Sequence, residues 1–248
     1  MKDVIVITSC TGRLGLIDAY EQRLADAGID HCFETIPVAT SSFDMRARID
    51  YWRGLANRFL DYRAMIVTDA WDVMFVGAKE ELLLKLKRQM AGVLISAERN
   101  CFPGPEFGEE DLSAKIVGRT PWKYANPGMM IANPEVLLRW LTEAEEHLPL
   151  DISDQAWFNR RLVDNRTFIA LDVDTFFFYV ISYNDGRLED GSLQIKDGRL
   201  WNSTCGTYPN FIHFAGHGPH EARRVIPGQA PPRYMAQDVI RRYLELGQ

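Results

Sequence analysis

Apolar positions in the first hundred residues follow two alternating patterns. Short, nearly continuous apolar runs at 4–8, 31–38, 65–68 and 92–97 have the length and β-branched content of buried strands. Between them, apolar residues recur at helical spacing: Leu16, Tyr20, Leu24 and Ala27, then Ile49, Trp52, Ala56 and Phe59, then the segment 79–90. Gly28, just past the first stripe, suits a helix end. This βαβαβαβ order predicts an α/β fold with a mainly parallel, twisted sheet covered by helices. In such sheets ligands bind outside the carboxyl ends of the strands. Asp69 and Glu98 follow such ends directly.

The second half is less regular. Residues 100–119 are rich in Gly, Pro and acids and are expected to form a long loop. A short strand is expected over 129–132, and a helix from Pro134 to about 146, since Pro is favoured in a first turn. Ser153 caps a helix running to about 163. Strands are expected over 168–171, 176–180 and 211–214. "SLQIKDGRLW" reads as a hairpin turning on Asp197-Gly198. A terminal helix is expected over 235–246, after the Pro-rich "IPGQAPPRY". There is no repeat and no low-complexity tract.

Composition adds boundaries. The chain has 248 residues, 46% of them hydrophobic and 25% charged, which suits one large domain over 1–248 with a sizeable core. No apolar run is long enough to span a membrane, and "MKDVIVITSC" reads as a first strand, not a leader. A cytoplasmic enzyme of bacterial or viral type is expected. The net charge of -6 argues against non-specific nucleic-acid binding, which depends on many Lys and Arg contacts. Arg187, Arg199, Arg223 and Arg224 could line a basic groove, or simply a solvated face. The four cysteines show no C-x-x-C and read as reduced.

The chemistry concentrates at a few places. In "MIVTDAWDVMF" two carboxylates, Asp69 and Asp72, close what reads as a buried strand. Desolvating them is costly unless they are paired, hydrogen-bonded or bound to a cation. They suit a hard divalent ion such as Mn²⁺ or Mg²⁺, or else an ordinary Asp turn. In "PNFIHFAGHG", His213 interrupts an apolar run and Gly216 and Gly218 follow. It is either a core histidine or a third ligand from a distant strand, with glycines that let amides approach a phosphate. Asn126 and Gly128 precede an apolar strand and fit a β-turn equally well. Asp154 and Gln155 open a helix, where an acid is stabilising by itself. Glu98 and Arg99 end a strand.

Taken in order, these segments resemble the GT-A fold glycosyltransferases. The closest resemblance is to the glycosyltransferase domain of the procollagen lysyl hydroxylases and the related collagen glucosyl- and galactosyltransferases. "VTDAWDV" and "LISAERNCFPGPE" are its most specific parts, and it extends from about Val4 to about Pro219. The resemblance implies a nucleotide-binding half over about 1–100, a sugar and acceptor half over about 101–220, and a tail with a helix over 221–248. It implies that Asp69, Asp72 and His213 bind Mn²⁺ or Mg²⁺, which bridges the phosphates of a UDP-sugar donor. Thr8 matches a nucleotide-contacting position, and Arg46 stands where relatives carry a lysine near the donor. Asn126 and Gly128 match a segment lining the sugar. Asp154 and Gln155 match one near the transferred sugar and the acceptor. "ALDVDTFFFYV" resembles the family's Leu-Asp stretch before an aromatic strand, while "HFAG" with Gly216 is closer to the glycogenin type.

The implied reaction moves a hexose, glucose or galactose, to a hydroxyl on a protein, a glycan or a hydroxymethylated DNA base. Asp154 is the first candidate for general base and Glu98 the second. A sugar-phosphate nucleotidyltransferase is the competing enzyme class, but "TSCTGRLG" lacks the dense glycine loop expected of one. A non-catalytic sugar-nucleotide-binding module is the other alternative, and it has no need of a complete metal site.

Overall fold

The computed structural model describes residues 1–10, 16–35, 45–88, 92–116, 120–145, 153–164, 169–181 and 192–215. The expected helix over 235–246, Gly216 and the side chain of Arg46 lie outside the described residues. The first half runs β1 (Lys2–Cys10), α1 (Ile17–Asp26), β2 (Asp30–Thr35), α2 (Met45–Arg58), β3 (Tyr62–Thr68), β4 (Val73–Phe75), α3 (Lys79–Arg88) and β5 (Val93–Glu98). Next come α4 (Glu109–Lys115), β6 (Tyr124–Ala132), α5 (Pro134–Glu145) and α6 (Asp154–Asp164). Five strands close the described chain: β7 (Ile169–Asp172), β8 (Phe178–Val180), β9 (Leu193–Lys196), β10 (Arg199–Asn202) and β11 (Phe211–His213).

Six strands form the central sheet in the order β2-β1-β3-β6-β5-β7. β2, β1, β3, β5 and β7 run in one direction, and β6 is antiparallel to both of its neighbours. Along β1, Ile5 and Ile7 face one core with α2, α5 and α6, while Val4 and Val6 face a second core with α1 and α3. A strand covered on both faces has no solvent side, which is why these strands read as continuous apolar runs. The first core is aromatic: Trp140 stacks on Phe158 at 5.5 Å and meets Trp157 edge-on at 5.3 Å. Such rings bury roughly 150–250 Å² each and dominate core energetics.

A smaller sheet orders β4-β11-β8, with β11 antiparallel to β4 and parallel to β8. The β9–β10 hairpin turns where expected, with Asp197 at φ 54° and Gly198 at φ 71°, both left-handed as a type I′ turn requires. Gly28 at φ 64° ends α1 and lets Ile29 N–H return to Leu24 C=O at 3.0 Å.

Two expectations need correction. The segment taken as a long loop holds a 3-10 turn at Pro105–Phe107 and then the seven-residue α4, too short for a readable stripe. The strand expected at 129–132 begins five residues earlier, at Tyr124, so Asn126-Pro127-Gly128 is no simple turn before a strand. The β5–β6 register jumps from Ile95↔Met130 to Ser96↔Asn126, and residues 127–129 bulge out between them. Pro127 tolerates this because it has no N–H to give to the ladder.

Candidate functional site

The bulge aims Gly128 at the end of β3. Asp69 N–H donates to Gly128 C=O at 2.7 Å, and Gly128 N–H donates to Asn126 Oδ1 at 3.0 Å. Behind the turn, the Thr8 hydroxyl lies 2.9 Å from Thr68 C=O, 3.1 Å from Asp69 C=O and 2.6 Å from Thr68 Oγ1. Thr8 is fully buried, so its side chain is committed to holding the β3 end. Trp71 packs with Cys10, Ile17 and Ala70, and its C=O accepts from Leu16 N–H at 2.9 Å. The turn between the two acids is thus anchored from below.

β4 leaves the turn and pairs with β11 through three residues, Val73↔His213 at the near end. Phe214 N–H donates to Asp72 C=O at 2.8 Å, extending that pairing by one step. This brings His213 against the two carboxylates, with Nε2 at 3.6 Å from Asp69 Oδ2 and 3.5 Å from Asp72 Oδ2. One ligand atom from each of the three residues lies within 4.8 Å of the other two. Gly128 forms the fourth wall. A Cβ there would sit 2.3 Å from His213 Cε1 and 2.7 Å from Asp69 Oδ2, closer than real atoms approach.

The electrostatics follow from burial and crowding. Burial pushes the Asp69 carboxyl up to about 6, with Asp72 and Asp154 adding to the rise and His213 and Arg48 opposing it. Its side chain still keeps 36% of its surface open, so one edge of the site reaches solvent. Burial alone would lower His213, but the charges of Asp72, Asp69 and Glu98 outweigh it and its pKa is raised. His213 Nδ1 is buried with no hydrogen-bond partner. Two crowded carboxylates and an imidazole, each favouring positive charge beside it, form a donor set that a small divalent cation fits.

Glu98, Asp154 and Gln155 gather at the same strand ends. Ser153 caps α6: its Oγ accepts from Ala156 N–H at 3.2 Å. Gln155 Nε2 donates to Glu98 Oε1, linking α6 to the end of β5. Burial pushes the Asp154 carboxyl up, while Arg48 and the nearby amides pull it down. Arg48 Nε lies 3.4 Å from Asp154 Oδ2, and its charge also reaches Asp69. Sequence reasoning named Arg46 and passed over Arg48. The signal was present: Arg48 precedes Trp52 and Ala56 at helical spacing, on the buried stripe of α2. Asn126 reaches Gly128 with its side-chain oxygen, which makes it a brace of the bulge.

Comparison with known proteins adds the family. The model of the PLOD GT domain matches residues 56–223, from α2 through β11. The chain belongs to this glycosyltransferase-domain family. Procollagen-lysine,2-oxoglutarate 5-dioxygenase of Drosophila melanogaster is 25% identical over 158 residues, which is 61% of this chain and 21% of that one. The chain therefore spans about a fifth of the length of that curated relative. Among solved structures, a glycosyltransferase involved in the glycosylation of the major capsid of PBCV-1 covers 88% of this chain and 95% of its own, at 9% identity and a TM-score of 0.49. Mouse xyloside xylosyltransferase 1 covers 88% and 99%, at 10% identity and a TM-score of 0.46. The central sheet of the PLOD GT domain family member described here is the mainly parallel, helix-covered sheet that the resemblance to GT-A enzymes implies. Among the described residues no helix is long and apolar enough to cross a membrane.

Proposed function

We propose that this glycosyltransferase domain moves a hexose, glucose or galactose, from a UDP-sugar to an acceptor hydroxyl in a reaction that depends on Mn²⁺ or Mg²⁺. One observation carries the reading: Asp69, Asp72 and His213 converge within 4.8 Å against Gly128, where a Cβ would crowd His213 and Asp69. Asp69, Asp72 and His213 would hold the ion, which would supply positive charge to the leaving diphosphate.

The remaining steps belong to the protein's own groups. The bulge at Gly128 keeps the site open by excluding a side chain, and Asn126 holds the bulge. Arg48 adds a permanent cation between the Asp69 and Asp154 carboxylates, on the side where the leaving group gains charge. Asp154 takes the proton of the attacking hydroxyl. Burial pushes its carboxyl up, the direction that suits a base, and Gln155 N–H and Arg48 hold its two oxygens in place. Gln155 orients the acceptor side through that same bond. The Drosophila relative is named for procollagen lysine, which supports a hydroxyl carried on a protein as the acceptor, ahead of a glycan. The net charge of -6 weighs against a DNA acceptor.

The test is UDP release from a panel of UDP-sugars with and without Mn²⁺, in the wild type and in Asp72→Ala. The expected result is metal-stimulated release that Asp72→Ala lowers by at least ~10²-fold, the scale at which loss of a key electrostatic group is felt. Full metal-stimulated release by Asp72→Ala would remove the assignment. Absence of binding to any nucleotide-sugar would remove the donor.

A further inference from the structure

Two of the three cation-facing side chains, Asp72 and His213, sit at one end of a very short ladder. β4 and β11 contribute three residues each, Val73–Phe75 and Phe211–His213. A pairing of that length does not hold its own register in water. Its near end is closed by the Phe214 N–H bond to Asp72 C=O. Its far end is closed by Asn210, whose C=O accepts from Val76 N–H at 2.8 Å and from Gly77 N–H at 3.2 Å.

Asn210 N–H donates to Phe177 C=O at 2.8 Å, and its side chain is fixed by Lys85, on α3. Lys85 is 6% exposed. Its ammonium donates to Asn210 Oδ1 at 2.9 Å, to Phe176 C=O at 2.7 Å and to Tyr208 C=O. Glu81, one turn earlier on α3, balances the charge at 3.0 Å and is itself paired with Arg199 of β10. Three donors of one ammonium thus tie the approaches to both β8 and β11 to a single helix. The opposite side of Asn210 is equally tight: a Cβ on Gly77 would lie 2.2 Å from Asn210 Nδ2. Asn210 is held between α3 and the end of β4, with no slack for β11 to slide.

We propose that Lys85 is a positioning residue for the Asp69–Asp72–His213 site. It touches none of the three. By clamping the far end of the β4–β11 ladder it sets the separation of Asp72 from His213 at the near end, and so the affinity for a divalent cation. This rests on the reading of the triad as a cation site. Residues that orient metal ligands from behind typically carry about 10- to 100-fold in metal affinity.

The experiment compares wild type, Lys85→Met, Asn210→Ala, Asp72→Ala and Leu141→Ala. Leu141 is fully buried in the other core, against α2 and α5, and serves as a control for general destabilisation. Mn²⁺ affinity is measured by calorimetry well below each variant's unfolding temperature. Exchange of the Phe214 and Val76 amides is followed without metal. Lys85→Met is expected to weaken Mn²⁺ binding by at least about tenfold and to speed exchange at both amides. Leu141→Ala, destabilised to a similar degree, is expected to leave both unchanged. Asn210→Ala, a milder cut, should move both readouts in the same direction and replaces Lys85→Met if that variant does not fold. Wild-type Mn²⁺ affinity in both clamp variants, or equal weakening in Leu141→Ala, overturns the proposal. If the wild type binds no Mn²⁺, or binds it no better than Asp72→Ala, the cation reading falls. The amide exchange then decides the clamp alone, and unchanged protection of Phe214 overturns it.

Discussion

At Gly128 a single hydrogen atom separates a working site from a blocked one. Any Cβ would collide with both His213 and Asp69. The His213 ring is buried and cannot step aside cheaply, and Asp69 would have to turn its carboxylate away. Gly128→Ala is expected to act first on the site, because the atoms nearest to the added Cβ belong to His213 and Asp69. It should weaken Mn²⁺ binding by at least about tenfold, as loss of ligand orientation does elsewhere; calorimetric titration with MnCl₂ checks this. Arg48 and Asp154 make a second test. Asp154→Asn should abolish transfer to an acceptor hydroxyl by about 10²-fold or more while leaving Mn²⁺ affinity near wild type. A coupled assay of transfer, run beside a titration of the metal, separates the two. These residues were visible in the sequence as types, but the bonds of the Thr8 side chain were not. A threonine hydroxyl at a strand end looks available, and only the neighbouring strand reveals that it is already bonded.

Among the elements, the β7–β8 corner depends on one carboxylate. Asp172 accepts N–H bonds from Phe176 at 2.8 Å, Phe177 at 2.7 Å and Phe178 at 2.8 Å, across a turn in which Thr175 takes φ 51°. Removing it leaves three amides in an apolar corner, and each unmet donor costs about 1–3 kcal/mol. Asp172→Ala should therefore lower stability by ~3 kcal/mol or more, read as a lower urea midpoint. Asp172 also gives the stability a pH signature. Burial outweighs the three amides and pushes its carboxyl up from 3.8 to about 6. The folded state then holds the proton more tightly than the unfolded chain does. Its contribution is complete below the unfolded value near 3.8 and is lost as pH rises through about 6. Between pH 7 and pH 5 the wild type should gain roughly 1–1.5 kcal/mol relative to Asp172→Asn, which does not titrate. Urea unfolding of both proteins at the two pH values measures it.

For the whole molecule, ligand and stability are linked. An ion that binds the folded chain at a hundred times its dissociation constant adds ~2.7 kcal/mol. In a chain of this size each kcal/mol is worth about 2–4 °C in Tm. Saturating Mn²⁺ should raise the Tm by roughly 5–10 °C in the wild type. It should leave Asp72→Ala unmoved. Differential scanning calorimetry with and without the metal gives the answer. The same triad lies where the ends of β3, β4 and β11, from two sheets, meet.

The sequence alone determined the alternation of buried strands and amphipathic helices, because strands covered on both faces must be apolar throughout and helices need one apolar face. It also determined the order of the polar segments, and through that order the family resemblance. Tertiary structure alone decided which polar residues meet. Asp72 and His213 are far apart in sequence, and a three-residue ladder makes them neighbours. Asn126-Pro127-Gly128 looks like a turn until β3 and β5 flank it and make it a bulge. Arg48 is a described cation that reaches the acids, since the rotation of α2 is set by its packing on the sheet. Contacts across sheets depend on register and packing, which pair residues by space and leave no local period to read.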